Sequence, residues 1–306
     1  MGKALALLTM RVAITGASGL IGSALRARLG GQGHDVVPLV RRPATRGEIT
    51  WDPEQGILDP ADLAGVDAVV NLAGAGIAGH RWTDSYKRQI LESRTRTTGL
   101  ISEAIASAGN GPRVLLSGSG VDFYGAQDDE AVDESSPPGT GFLAEVCTAW
   151  EASTAAAEAA GVRVAHLRTS MVLSARGGAL RKMLPLFKLG LGGRTGNGKQ
   201  WVSWISIDDE IGAIEHLLNS DASGPVNLAS PNPVTNADFA RTLGHVLKRP
   251  AIVPLPPFAP KLVLGRELVD TLLVEGKRVL PRALEVDGYV FAHPTLESAL
   301  RAVLDR

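Results

Sequence analysis

The 306-residue chain has one cysteine, Cys147. A lone thiol closes no internal disulfide, which excludes a stapled extracellular scaffold and fits a reducing, cytoplasmic setting. Lys and Arg together number 31 against 32 Asp and Glu, and no basic block stands out. A nucleic-acid partner needs clustered cations on one face, so that class is set aside. No apolar run is long enough to span a bilayer, and the short run at residues 4–8 lacks the length of a signal segment, so no membrane partner is expected. Met10 stands directly before a strand-like run, and it is read as the start of the fold with residues 1–9 as a loose leader. No His/Cys/Asp cluster has metal-ligand spacing. Ser119 lies in Gly118-Ser119-Gly120, which lacks the outer glycine spacing of a hydrolase elbow.

Glycine, by contrast, is plentiful at 35 residues, and the 44% hydrophobic fraction is that of an ordinary globular chain. Short β-rich runs at 11–15, 35–40, 66–72, 113–117 and 162–167 alternate with helical patterns at 20–29, 83–108 and 143–160. Strand–helix alternation of this kind predicts an α/β fold, a doubly wound parallel sheet of Rossmann type covered on both faces. From about Gly177 the pattern changes to a smaller α+β region, with helices at 180–189, 208–219, 236–247, 261–275 and 295–304. The division expected is 10–176 for the dinucleotide-binding domain and 177–306 for a mainly substrate-binding region, with strands near 204–228 returning to the sheet. Asp208 or Asp209 is the expected N-cap of the helix at 208–219.

Between the first strand and first helix the chain reads Gly16-Ala17-Ser18-Gly19-Leu20-Ile21-Gly22. The first glycine permits a tight turn and the second lets the backbone approach a pyrophosphate. The third lets the helix pack on the strand, and the helix N-terminus presents N–H groups to the anion. At the end of the second strand, an acidic residue would bind a ribose 2′-hydroxyl. This chain has Arg41-Arg42 there, which suits a 2′-phosphate and points to NADP(H).

With ITGASGLIG (14–22), NLAG (71–74), LLSGSGVDFYG (115–125) and WISIDDEIGAI (204–214), the chain resembles the extended and atypical short-chain dehydrogenase/reductases. The segments ITWDP (49–53), RWTDSYKRQILESRTRTT (81–98), WVSWISIDD (201–209) and PTLESAL (294–300) narrow the resemblance. They point to the NAD(P)-dependent epimerase family, in a subgroup that carries the sugar-nucleotide epimerase label. The resemblance implies that Leu72-Ala73-Gly74 passes beneath the adenosine side of the cofactor. It implies that Arg94 reaches the cofactor, with Gln89 about one turn before it, and that Arg168 and the segment 169–172, ending at Val172, lie at the nicotinamide.

The family's proton-transfer machinery is a Ser or Thr with a Tyr-x-x-x-Lys pair, in which the lysine also holds the nicotinamide ribose. None of the three tyrosines here has Lys four residues on, and the expected helix reads Phe142-Leu143-Ala144-Glu145-Val146-Cys147. Glu151 matches a glutamate that often follows. Ser117 and Ser119 remain at the end of their strand, with Ser119 the match to the usual catalytic serine. Two readings stay open. One is an NADP(H)-dependent oxidoreductase or epimerase-like enzyme acting on an unidentified small molecule, with its acid/base moved to Tyr124 or His80. The other is an NADP(H)-binding sensor or scaffold. The resemblance leaves open a homodimer through the helices at 83–108 and 143–160, which form a dimer face in many relatives.

Overall fold

The computed structural model describes residues 9–254, 261–262 and 265–305. The expected leader and parts of the stretch read as a helix at 261–275 lie outside the described residues. Seven strands form a parallel sheet: β1 (Arg11–Thr15), β2 (Asp35–Val40), β3 (Ile49–Thr50), β4 (Ala68–Asn71), β5 (Val114–Gly120), β7 (Arg163–Thr169) and β11 (Gly224–Leu228). Outside this sheet lie the short strands β6 (Ala131–Val132), β8 (Met171–Leu173), β9 (Trp201–Val202) and β10 (Trp204–Ser206). The sheet order is β11-β7-β5-β4-β1-β2-β3. The order reverses beside β1, and the crevice at that switch is where a doubly wound sheet takes its ligand.

Helices α1 (Leu20–Gly31) and α6 (Ile207–Leu218) pack on each other and on one face of the sheet. On the other face lie α2 (Asp84–Ser107), α3 (Phe142–Ala152) and α4 (Ala155–Ala159). Side chains alternate across a strand. Val12, Ile14, Val70, Leu116, Leu167 and Leu228 therefore fill the α1/α6 side as a continuous apolar core. Ala13, Val69, Leu115 and Val164 point to the α2 side. A further apolar cluster joins α5 (Gly178–Lys188), α7 (Asn236–Leu247) and the helix Leu296–Val303 through Leu184, Phe187, Trp204, Phe239 and Leu300.

Three sequence expectations change. The helix read over 143–160 is broken at Ser153-Thr154, because Thr154 is fully buried and its backbone carbonyl accepts from Ser102 Oγ. The N-cap of α6 is Ser206, whose hydroxyl accepts from the Asp209 N–H. The Asp209 carboxylate instead accepts from the N–H groups of Ala292 and His293, tying the C-terminal segment to α6. Finally, β5 runs on to Gly120, which places Ser119 inside the strand.

Candidate functional site

The glycine turn has the geometry that its sequence implies. Gly16 takes a left-handed φ of +64°, and a Cβ there would stand 2.7 Å from the Leu72 carbonyl oxygen. A Cβ on Gly22 would come within 2.3 Å of the Gly16 carbonyl oxygen. Both positions are therefore closed to any side chain. Helix α1 begins after Gly19 with no side-chain cap and no acidic residue in its first turn, so its leading N–H groups remain open to an anion. Ser18 is exposed on the turn, and Leu20 and Ile21 are half-buried beside it. Leu20 packs at the position of Gly177, which brings the segment ending in Val172 close to the start of α1.

At the end of β2 the two arginines differ. Arg42 donates through both terminal nitrogens to the Glu48 carboxylate, at 2.7 Å each. These bonds, with others from Thr45, hold the Glu48 carboxyl at about 2. Arg41 is exposed and has no side-chain partner among the described residues. Leu72 and Ala73, past the end of β4, donate their N–H groups to Thr15 Oγ1 at 3.1 and 3.2 Å. This fixes the chain under the expected cofactor path as far as Gly74.

Arg94 lies against Gly74, where a Cβ would stand 3.3 Å from its Cζ. Its guanidinium sits 5.0 Å from the Trp150 ring centre and donates to the Ile90 carbonyl at 3.0 Å. Burial lowers its pKa, opposed by Cys147, Tyr86 and Asp122. Among the described residues no carboxylate lies within ion-pair distance of it. Gln89 does not share its side. Five residues turn a helix by about 500°, roughly 140° off register. Gln89 is exposed and lines a separate surface hollow of about 430 Å³ with His80, Arg81, Thr83, Ser85 and Tyr86. A hollow of about 610 Å³ around Asp67, Asn110 and Gly161 opens at the opposite, N-terminal edge of the sheet, away from this chemistry.

Beneath the cleft, the α2/α3 side of the sheet carries a polar band. Register pairs Thr15 with Asn71, Asn71 with Ser117, Ser119 with Arg168, and Arg168 with Asn227. Ser119 Oγ donates to Glu151 at 2.7 Å. Arg168 donates twice to the same carboxylate, at 2.8 Å each, and once to Tyr124 Oη at 3.0 Å. The Tyr124 hydroxyl in turn donates to Asn227 Oδ1 at 2.7 Å. The Arg168 guanidinium stacks 3.4 Å from the Phe123 ring centre. Tyr124 is 0% exposed and burial raises its pKa, so its phenol belongs to the internal network and does not face a ligand. Arg168 and Ser117 are likewise turned inward, at 3% and 0% exposure. The resemblance put Arg168 at the cofactor and chain order put Ser117 and Tyr124 near it, whereas strand register turns Arg168 and Ser117 under the sheet and the bonds to Arg168 and Asn227 hold Tyr124 there.

His80, the other acid/base expected from the sequence, is exposed and stacks edge-on against Tyr86. His166 bonds to Thr154, and burial lowers its pKa. Burial pushes the Cys147 thiol up to about 12, which rules it out as a nucleophile at neutral pH.

Two features were not visible in the sequence. Asp122, just past β5, accepts from the Lys277 ammonium at 2.8 Å, joining the C-terminal region to the edge of the cleft. Their separation of 155 residues gave no local signal. Glu210, on the first turn of α6, is fully buried and accepts from Thr169 Oγ1 at 2.9 Å, while its second oxygen has no partner. Burial pushes its carboxyl up to about 8. Among the described residues no group of His, Cys, Asp and Glu could hold a metal ion, and no helix is long and apolar enough to cross a membrane.

Comparison with known proteins places this geometry in context. Residues 12–229 match the NAD dependent epimerase/dehydratase family, and residues 255–303 match a domain of unknown function, DUF1731. An epimerase family protein of Mycobacterium bovis is 46% identical over 291 residues, covering 94% of this chain and 96% of its own. The crystal structure of human epimerase family protein SDR39U1 (isoform2) with NADPH superposes with a TM-score of 0.88 at 36% identity, covering 97% of this chain and 99% of that one. A nucleoside-diphosphate sugar epimerase from Corynebacterium glutamicum superposes at 0.78 with 38% identity, covering 97% of this chain and 58% of that one.

Proposed function

The chain belongs to the NAD dependent epimerase/dehydratase family, and from that membership we propose that it is an NADP(H)-dependent oxidoreductase or epimerase-like enzyme acting on a small carbonyl or hydroxyl compound. The observation that carries this reading is the Gly16–Gly22 cradle, closed to side chains and opening onto an uncapped helix N-terminus, with Arg41 and Arg42 one strand away. The human relative of known structure holds NADPH, which supports the same dinucleotide here. When bound, the dinucleotide supplies or accepts the hydride. The chain's own residues do the rest. The first turn of α1 would hold the pyrophosphate, and the loop Leu72–Gly74, fixed by Thr15, would lie beneath the adenosine side. Arg41 would hold the 2′-phosphate beside Arg42, which Glu48 keeps in a fixed orientation. Lys277, 9% exposed and held on the Asp122 carboxylate at 2.8 Å just past the end of β5, is the cation proposed to deliver a proton at this edge, in place of the fully buried Tyr124 phenol. A single buried thiol fits the cytoplasm as its compartment.

The experiment is NADPH oxidation over a carbonyl panel that includes nucleotide sugars and quinones. The proposal expects at least one compound to be reduced, and Lys277→Met to slow that reduction. A second reading is supported by one specific observation, the absence of an exposed Tyr-x-x-x-Lys pair: the protein would be an NADP(H) sensor. NADPH binding with no oxidation across the panel would favour it.

A further inference from the structure

We propose that the end of α5 and the segment that follows α7 together form a docking surface for a membrane face rich in anionic lipid. The chain as a whole is balanced in charge, with 31 basic against 32 acidic residues. Its acids are unevenly spread: residues 159–207 contain no Asp or Glu, and neither do residues 239–266. These two basic stretches meet in space. Arg249 Nε donates to the Lys188 carbonyl at 3.0 Å. A Cβ on Gly190 would stand 3.3 Å from the Pro250 ring, and one on Gly193 would stand 2.1 Å from the Val253 carbonyl oxygen.

Apolar side chains stand outward where the stretches join. From α5, Leu180, Leu184 and Phe187 face the core at helical spacing, while Leu186 on the opposite side is exposed. Past the helix end Leu189 is 72% exposed and Leu191 52%, and across the contact Ile252 is 82% exposed with Val253 beside it. These are five of the ten large apolar side chains exposed among the described residues. Single apolar residues scattered over a surface are ordinary, whereas five gathered on two touching segments form a patch. Cations flank it along both segments. Arg181, Lys182, Lys188, Arg194, Lys248 and Arg249 are all exposed, and none of the six forms an ion pair among the described residues.

This combination selects the occupant. A second copy seated on the same patch would set cation against cation across a twofold axis. A peptide would need a groove, and the loop beneath is filled, since a Cβ on Gly192 would come within 2.4 Å of the Phe187 ring. Protruding Leu and Ile side chains among unpaired cations match a lipid interface. There the apolar groups enter the headgroup boundary and the cations meet anionic heads. Among the described residues no helix is long and apolar enough to cross a membrane, and an interfacial contact requires none.

The test sediments the full chain with vesicles of phosphatidylcholine alone and with vesicles holding about 30% phosphatidylserine. The chain should bind the second kind about tenfold more tightly or better, and raising salt to about 0.5 M should release most of it. Leu189→Ser with Ile252→Ser should lower that binding about tenfold, and Lys188→Glu with Lys248→Glu should lower it about as much. All four side chains are exposed, so thermal unfolding of both double variants should match the unmutated protein. The single changes Leu189→Ser and Lys248→Glu carry the same test if a double variant does not fold. Binding to neither vesicle, equal binding to both, or binding that the variants retain in full overturns the proposal. A dimer in sedimentation velocity that Leu189→Ser dissociates overturns it too, because the face would then join two copies of the chain.

Discussion

The two faces of the parallel sheet are built on opposite principles. On the α1/α6 side, Ile14, Val70, Leu116, Leu167 and Leu228 form one apolar surface reaching the C-terminal edge. On the α2/α3 side, the same strands begin apolar, at Ala13, Val69 and Leu115, and turn polar at Thr15, Asn71, Ser119, Arg168 and Asn227. The first face draws its stability from burying area, which tolerates moderate change. The second depends on every donor meeting an acceptor, because a buried charge left alone costs far more than an exposed one. Polar residues are thus concentrated on one face, directly below the edge where a ligand is expected. They hold Ser119, Trp150 and the loop at Gly74 in place.

The sharpest way to break this comparison is to remove the central cation. Arg168→Met should cost about 3–5 kcal/mol in urea unfolding, because the Glu151 carboxylate, 11% exposed, would lose both charge-assisted bonds and keep only the one from Ser119. Adding Glu151→Met should recover part of that loss, which a purely apolar account of this face would not expect. On the other face, Leu116→Ala should cost about 2–5 kcal/mol as transfer plus cavity, with no dependence on pH between 5 and 9.

Glu210, on α6, is a buried carboxyl on the apolar side, and it sharpens the contrast through pH. Its carboxyl ordinarily titrates at 4.5, as in the unfolded chain, but holds its proton to about 8 when folded. Between these values the unfolded state binds fewer protons, so stability is fullest below pH 4.5 and falls as pH rises through about 8. Thermal unfolding of the unmutated protein should therefore weaken over that window, by roughly a few kcal/mol. Glu210→Gln should flatten the decline, and an unchanged slope in the variant would contradict the assignment. Smaller still, Tyr124→Phe should cost about 1–2 kcal/mol, since Arg168 and Asn227 each lose one bond while the ring stays packed. A Tyr124→Phe variant with full stability but altered NADPH oxidation would instead return that phenol to the site.

What was legible in the sequence follows from the range of the interactions. The glycine turn is set within seven consecutive residues, 16–22, and its neighbours in the chain are its neighbours in space. Strands and long helices were readable from their periodicity, and the parallel sheet from their alternation. The polar band was not, because it depends on register: Ser119 meets Arg168, and Arg168 meets Asn227, only once three strands are aligned. Chain order put Tyr124 after a strand and so near the cleft, and only its bonds to Arg168 and Asn227 turn it inward. Arg42 could be read as a phosphate ligand from its place after β2, yet its pairing with Glu48 needed the fold of the loop between them. The break at Thr154 was hidden because Ala-rich sequence continues across it while its partner, Ser102, lies 52 residues earlier.

A dinucleotide site built around Arg41 and the Gly16 turn predicts selectivity for the 2′-phosphate. Direct titration of the unmutated protein with NADPH and with NADH tests it most plainly. NADPH should bind at least tenfold more tightly, about 1.4 kcal/mol, and Arg41→Ala should close most of that gap. Equal affinity for the two, or no binding of either, would contradict it.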